Sequence, residues 1–231
     1  MVRTSSPAEG ETPEMGDAYP TIDKPLLRGW LHLGAAPLVL IAGMALVTFA
    51  PTLAGRVSSA IFTLTAVMLF GTSAVYHRGN WSPKTQAVLR RMDHANIFLI
   101  IAGTYTPLSV ILLDHDTAVV ALLIVWTGAI LGLLSRILFL NAPRWVYVPM
   151  YVALGWVAMA YIRPFYDAGG PAVVALIAAG GVCYTVGAVF YGFKWPGASA
   201  RYFGFHEIFH SLTVAGFTCT YIAAAIAVFG A

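Results

Sequence analysis

Charge is scarce in this sequence. Lys, Arg, Asp and Glu together make up 10% of its 231 residues, where an ordinary soluble domain carries about 25%. The hydrophobic set reaches 59%. A chain of this length folded in water would still expose much of its own surface, and so much apolar area has no place there. Lipid is the solvent that suits it. Basic blocks are missing too: the net charge of +3 is spread along the chain, which excludes a nucleic-acid footprint and leaves positive charge to report topology. Cysteine is nearly absent. Cys183 and Cys219 each lie inside an apolar run, and without metal-type pairing they are read as small hydrophobes and not as a disulfide scaffold.

Residues 1–25 contain Pro7, Pro13, Pro20 and Pro25 among Glu9, Glu11, Glu14, Asp17 and Asp23. A polar, acidic, proline-rich stretch without hydrophobic period is expected to be a disordered tail. It lacks the basic start and short apolar core of a signal peptide, so the apolar run from Leu31 is expected to stay as an anchor. Residues 26–231 then form one membrane domain.

A hydrocarbon core of about 30 Å takes about 20 helical residues to cross. Suitable runs fall near 31–50, 58–77, 92–113, 117–139, 145–165, 171–193 and 205–229, separated by Pro51, Trp81-Ser82-Pro83, Pro143, Gly169-Gly170-Pro171 and Pro196-Gly197. The expectation is an all-α, seven-transmembrane helix bundle. Arg3, Lys24, Arg28, Arg78, Lys84, Arg90, Arg91, Arg136, Arg144, Lys194 and Arg201 fall on one side, against Arg56 and Arg163 on the other. Such a bias puts the N-terminus in the cytoplasm and the C-terminus outside. Trp30, Trp81, Trp145 and Trp195 fall at the cytoplasmic ends, as an interfacial belt requires. Gly128, Gly132, Gly180, Gly181 and Gly187 suit close helix approach.

An ionisable group within a span costs about 2.5–3.5 kcal/mol on insertion scales and usually has a partner or a task. Those present are few. Ser73 and His77 end the second run, Asp93 and His94 open the third, and His206, Glu207 and His210 open the seventh. With the orientation above, all lie near the cytoplasmic face. Ser73 and His77 share a helix face, as do His206 and His210. Three imidazoles from two helices supply three corners of a tetrahedron and leave the fourth for water, as in an open zinc site. His32, His94 and His115 are read as interfacial polar residues, and Asp114, His115 and Asp116 as a solvated external loop. His206-Glu207-Ile208-Phe209-His210 also fits the H-E-x-x-H pattern of zinc proteases. That reading ranks lower, because no Asp, Glu or His follows His210 as a third ligand.

Ser73-x-x-x-His77, then Arg91-Met92-Asp93-His94-Ala95-Asn96-Ile97-Phe98 continuing to Ala102-Gly103-Thr104-Tyr105-Thr106-Pro107, then His206-x-x-x-His210, resemble the hemolysin III family. This is the bacterial branch of the progestin and adipoQ receptor superfamily. The resemblance runs from about Lys24 onward. Many members carry an acidic stretch with Asn and Thr before the first helix, where this chain has Lys24 to His32. His32 stands at the place of that stretch's terminal histidine, and its acidic residues have no counterpart. The resemblance implies seven helices and zinc on His77, His206 and His210. It also implies that Asp93 contacts the water at the metal's open position, with Ser73 nearby. Related receptors and ceramidases with this arrangement are associated with hydrolysis of lipid amides.

Three functions follow as expectations. The first is a zinc-dependent hydrolase of lipid amides or esters, with Asp93 and Ser73 catalytic and a membrane lipid as substrate. Glu207 is a second candidate base. The next is a non-enzymatic sensor of membrane lipid state with a structural zinc. A channel or lytic protein comes last, because no helix carries a repeated charged face.

Overall fold

The computed structural model describes residues 25–139, 142–196 and 202–231. The expected disordered tail therefore lies, apart from Pro25, outside the described residues. Among those described there is helix and no strand: α1 Trp30–Phe49, α2 Leu53–Arg78, α3 Pro83–Leu112, α4 His115–Leu138 and α5 Arg144–Gly155. A 3-10 turn follows over Trp156–Tyr161, then α6 Ile162–Phe193 and α7 Phe205–Phe229.

Short polar side chains start three of these helices. Thr52, Ser82 and Asp114 each accept the backbone N–H three residues on, from Gly55, Thr85 and Thr117, satisfying one of the donors a helix start leaves open. Ser82 and Pro83 also correct the expected start of the third helix. It begins nine residues before Met92, because hydropathy ends a run where charge begins, whereas Lys84-Thr85-Gln86-Ala87 is good helix-forming sequence behind a cap. Asp93 therefore sits about three turns inside α3 and does not open it.

Among the described residues, six helical stretches are long and apolar enough to cross a membrane. One of them, Arg144–Phe193, has 50 residues and would measure about 75 Å if straight. It is not straight. Gly170 leaves the helical region with φ 77° and ψ 179°, and Pro171 follows it. Only glycine adopts that conformation readily, and proline cannot return the hydrogen bond of a continuing helix.

Apolar side chains face outward and polar ones inward. Leu38, Ile41, Leu64 and Leu131 are each more than 60% exposed, whereas Ser59, Thr65, Asp93, Asn96 and Glu207 are buried. In lipid the interior holds the polar groups because only there do they find partners. Trp126 Nε1 donates to Thr106 Oγ1 across α4 and α3 (3.1 Å), and Tyr221 donates to the Ala42 carbonyl across α7 and α1 (2.8 Å). One apolar core gathers Phe98, Tyr105, Val125 and Phe165; a second gathers Leu46, Phe62, Phe70 and Phe217. Helix α7 contributes to both, which brings its first turns against α1, α3 and α6.

Candidate metal centre

Helix α2 brings Ser73 and His77 to one face, and α7 brings His206 and His210 to one face, because residues four apart stack on a helix. Asn96 fixes the third element. Its side-chain N–H2 donates to the Met68 carbonyl (2.9 Å) and to Thr72 Oγ1 (3.1 Å), locking α3 against α2. Asp93, one turn earlier on α3, then faces His77: Oδ2 lies 3.8 Å from Nε2.

The three expected histidines converge. One ring nitrogen from each of His77, His206 and His210 lies within 4.8 Å of the others, a group able to hold a metal ion. His77 Nε2 and His206 Nε2 are 3.1 Å apart. With metal–nitrogen bonds of 2.0–2.1 Å, a tetrahedral site has an edge of about 3.3–3.4 Å. The donor set and this spacing therefore fit a small divalent ion. Asp93 and His210 are buried, with 7% and 3% of their surface exposed. Ser73 is buried, with its hydroxyl beside the Asp93 carboxylate.

Glu207 is turned to another purpose. Its carboxylate accepts the Gly204 N–H at 2.8 Å and pairs with Arg28. It closes the start of α7 and ties the segment before α1 to that helix, as an acid in the first turn of a helix can. Both oxygens are engaged there, so the acid that faces the histidines is Asp93. Gly29, next to Arg28, has φ +79°, and a Cβ on it would lie 2.7 Å from His77 Cβ. The chain can pass this close to His77 only as glycine.

Of the two other histidines near the site, His32 differs from its sequence reading and His94 stays outside the converging group. His32, expected at the interface, is 2% exposed and stacks on His210 with ring centroids 3.8 Å apart and planes 5° from parallel. His94 joins a separate network: Nδ1 is 2.9 Å from Arg136 Nη2, and its carbonyl accepts the Tyr151 hydroxyl at 3.1 Å. Burial of His32 has no periodic signature in sequence. Its position in the resemblance was the one available signal.

A cavity of about 130 Å³ opens from this cluster. Asp93, His206 and His210 line one end, and Leu108, Phe165 and Thr220 line it further along. From His206 to Thr220 along α7 is about 21 Å, and most of the wall between is apolar.

Over residues 21–221 the sequence matches the protein-family model described as Haemolysin-III related. It is similar to a protein named Hemolysin-3 homolog from Bacillus subtilis (strain 168), 31% identical over 160 residues that cover 69% of this chain and 72% of that one. It is also similar to Hemolysin-3 from Bacillus cereus, 30% identical over 165 residues covering 71% and 72%.

Proposed function

Because the chain belongs to the Haemolysin-III related family and is a multi-pass protein of the cell membrane, we propose that it is a zinc-dependent hydrolase of lipid amides or esters. The observation that carries this reading is the meeting of three imidazoles, a buried acid and a buried serine hydroxyl at the end of an apolar cavity.

His77, His206 and His210 would hold the ion. Bound there, zinc supplies a Lewis acid and lowers the pKa of water from 15.7 towards about 7. Asp93 takes the proton from the attacking water, whose oxygen bonds to the carbonyl carbon. Ser73 donates to the carbonyl oxygen as negative charge develops on it. The C–N or C–O bond then breaks, and Asp93 returns its proton to the leaving amine or alcohol. The cavity receives the acyl chain and keeps it from water. In the bilayer, Arg144–Phe193 makes two crossings that meet at Gly170, for seven in all, with the N-terminus in the cytoplasm and the C-terminus outside.

Elemental analysis of detergent-purified protein tests the metal. The expected result is one zinc per chain, lost in a His206→Ala, His210→Ala double variant. Asp93→Asn is expected to keep the zinc and lose turnover of a long-chain lipid amide by about 10²–10⁴-fold. Unchanged turnover removes Asp93 from the mechanism.

A second reading rests on the way the histidines join α2 to α7. Zinc would then staple the two helices in a sensor of membrane lipid state. Chelation would lower thermal stability while no lipid was ever consumed. The Bacillus cereus relative carries the name of a hemolysin; lysis by this chain is a third reading, tested by ion flux through pure protein in liposomes.

A further inference from the structure

His32 is the residue in this site without an assigned task. It is almost fully buried; neither Nδ1 nor Nε2 makes a hydrogen bond of full geometry, although the His210 backbone lies beside the ring. A buried imidazole paired so weakly is unfavourable, and buried polar groups nearly always find a full partner. The ring is nevertheless held firmly. His210 covers one face at 3.8 Å, and Phe70 meets the ring edge-to-face at 4.9 Å and 75°. The stack on His210 uses the π system and does not by itself occupy the ring nitrogens. His32 lines the cavity together with Asp93 and Ser73.

His32 cannot share an ion with His210. A metal lies near the plane of the imidazole that binds it. A parallel ring stacked 3.8 Å away keeps both its nitrogens well beyond the 2.0–2.1 Å of a zinc–nitrogen bond. Nor does His32 belong to the group whose nitrogens converge. Besides the His210 backbone, what remains within reach of the ring is whatever fills the cavity.

We propose that His32 is a ligand-contacting residue of this site, whose ring N–H donates a hydrogen bond to the polar head of a lipid amide or ester bound in the cavity. Either tautomer carries one N–H, so the contact is available without a change in protonation. The stack on His210 sets the direction of that N–H, and Gly29, three residues earlier, lets α1 start close enough to His77 for the ring to arrive. The assignment rests on reading the cavity as a lipid site.

The test uses zinc-loaded full-length protein in detergent with two radiolabelled probes, stearamide and octadecane, alike in chain length and different in head. His32→Phe keeps a flat ring against His210 and removes both nitrogens. It is expected to retain zinc, to bind octadecane as wild type does, and to bind stearamide about tenfold more weakly. His32→Gln, which restores a donor, is expected to recover part of that loss. In wild-type protein carrying ¹⁵N-histidine, stearamide is expected to shift a ring nitrogen resonance absent from the His32→Gln protein, and octadecane is not. Equal weakening for both probes, unchanged stearamide binding, loss of zinc in His32→Phe, or an unmoved resonance overturns the assignment. A wild type that binds stearamide in this head-selective way and never cleaves it refutes the hydrolase while supporting His32. A wild type that binds neither probe refutes both.

Discussion

Replacing Glu207 by Gln separates two roles that the H-E-x-x-H pattern confuses. A general base at this position would make the variant inert with its stability intact. The structure assigns the carboxylate instead to the Gly204 N–H and to Arg28, with Glu207 1% exposed and the Arg28 side chain 20% exposed. Gln retains an acceptor for Gly204 and loses the charge that answers Arg28. Breaking a fully buried pair costs about 3–5 kcal/mol, and a hydrogen bond to a charged group is worth about 1.5–3 kcal/mol. With one contact retained and Arg28 partly solvated, the expected loss is about 2 kcal/mol. That corresponds to a fall in melting temperature of roughly 4–8 °C for a chain of this size. Thermal unfolding in detergent, with tryptophan fluorescence as the signal, reads it. A cycle with Arg28→Met should return a coupling of about 1–2 kcal/mol. Zinc content and residual turnover of the variant below its melting point should stay near wild type. A variant with unchanged melting temperature and abolished turnover refutes the capping role and restores Glu207 as the base.

Other perturbations have equally definite outcomes. Gly29→Ala, which puts a Cβ 2.7 Å from His77 Cβ at a positive φ, should cost at least 1–2 kcal/mol and reduce zinc retention on dialysis. Asn96→Leu removes both hydrogen bonds to α2; a loss of about 1–3 kcal/mol is expected, measurable as a lower melting temperature with normal expression of the membrane fraction. Stripping zinc with a chelator should lower the melting temperature of wild type but not of the His206→Ala, His210→Ala variant, since only a protein that binds the ion is stabilised by it. Gly170→Val, at a conformation reserved for glycine, should destabilise strongly, by several degrees in the same assay.

The site was legible where one helix supplied two residues. His206 and His210 stand at a spacing that stacks side chains, and the charge bias put them at the same depth as His77. What escaped was set by contacts between helices. The place of His32 depends on α1 meeting α7, and the true partners of Glu207 depend on Arg28 arriving from far along the chain. The start of α3 escaped for a different reason. Hydropathy detects what lipid accepts, whereas Ser82 and Pro83 begin a helix by capping, ahead of the apolar run. At Gly170 the sequence did mark the break, because a left-handed glycine before proline has a local cause.

The joining of the first described residues to the last helix has a consequence for biosynthesis. Arg28 finds Glu207 on α7, Ala42 accepts from Tyr221 there, and two of the three converging histidines belong to it. A nascent chain in which α1 to α6 have already been inserted still lacks two of the three converging histidines and the α7 partners of Arg28 and Ala42, and holds α1 mainly through α2. The cluster is complete only once α7 has packed, so a chain that stalls before α7 carries His77 and Asp93 without His206 and His210.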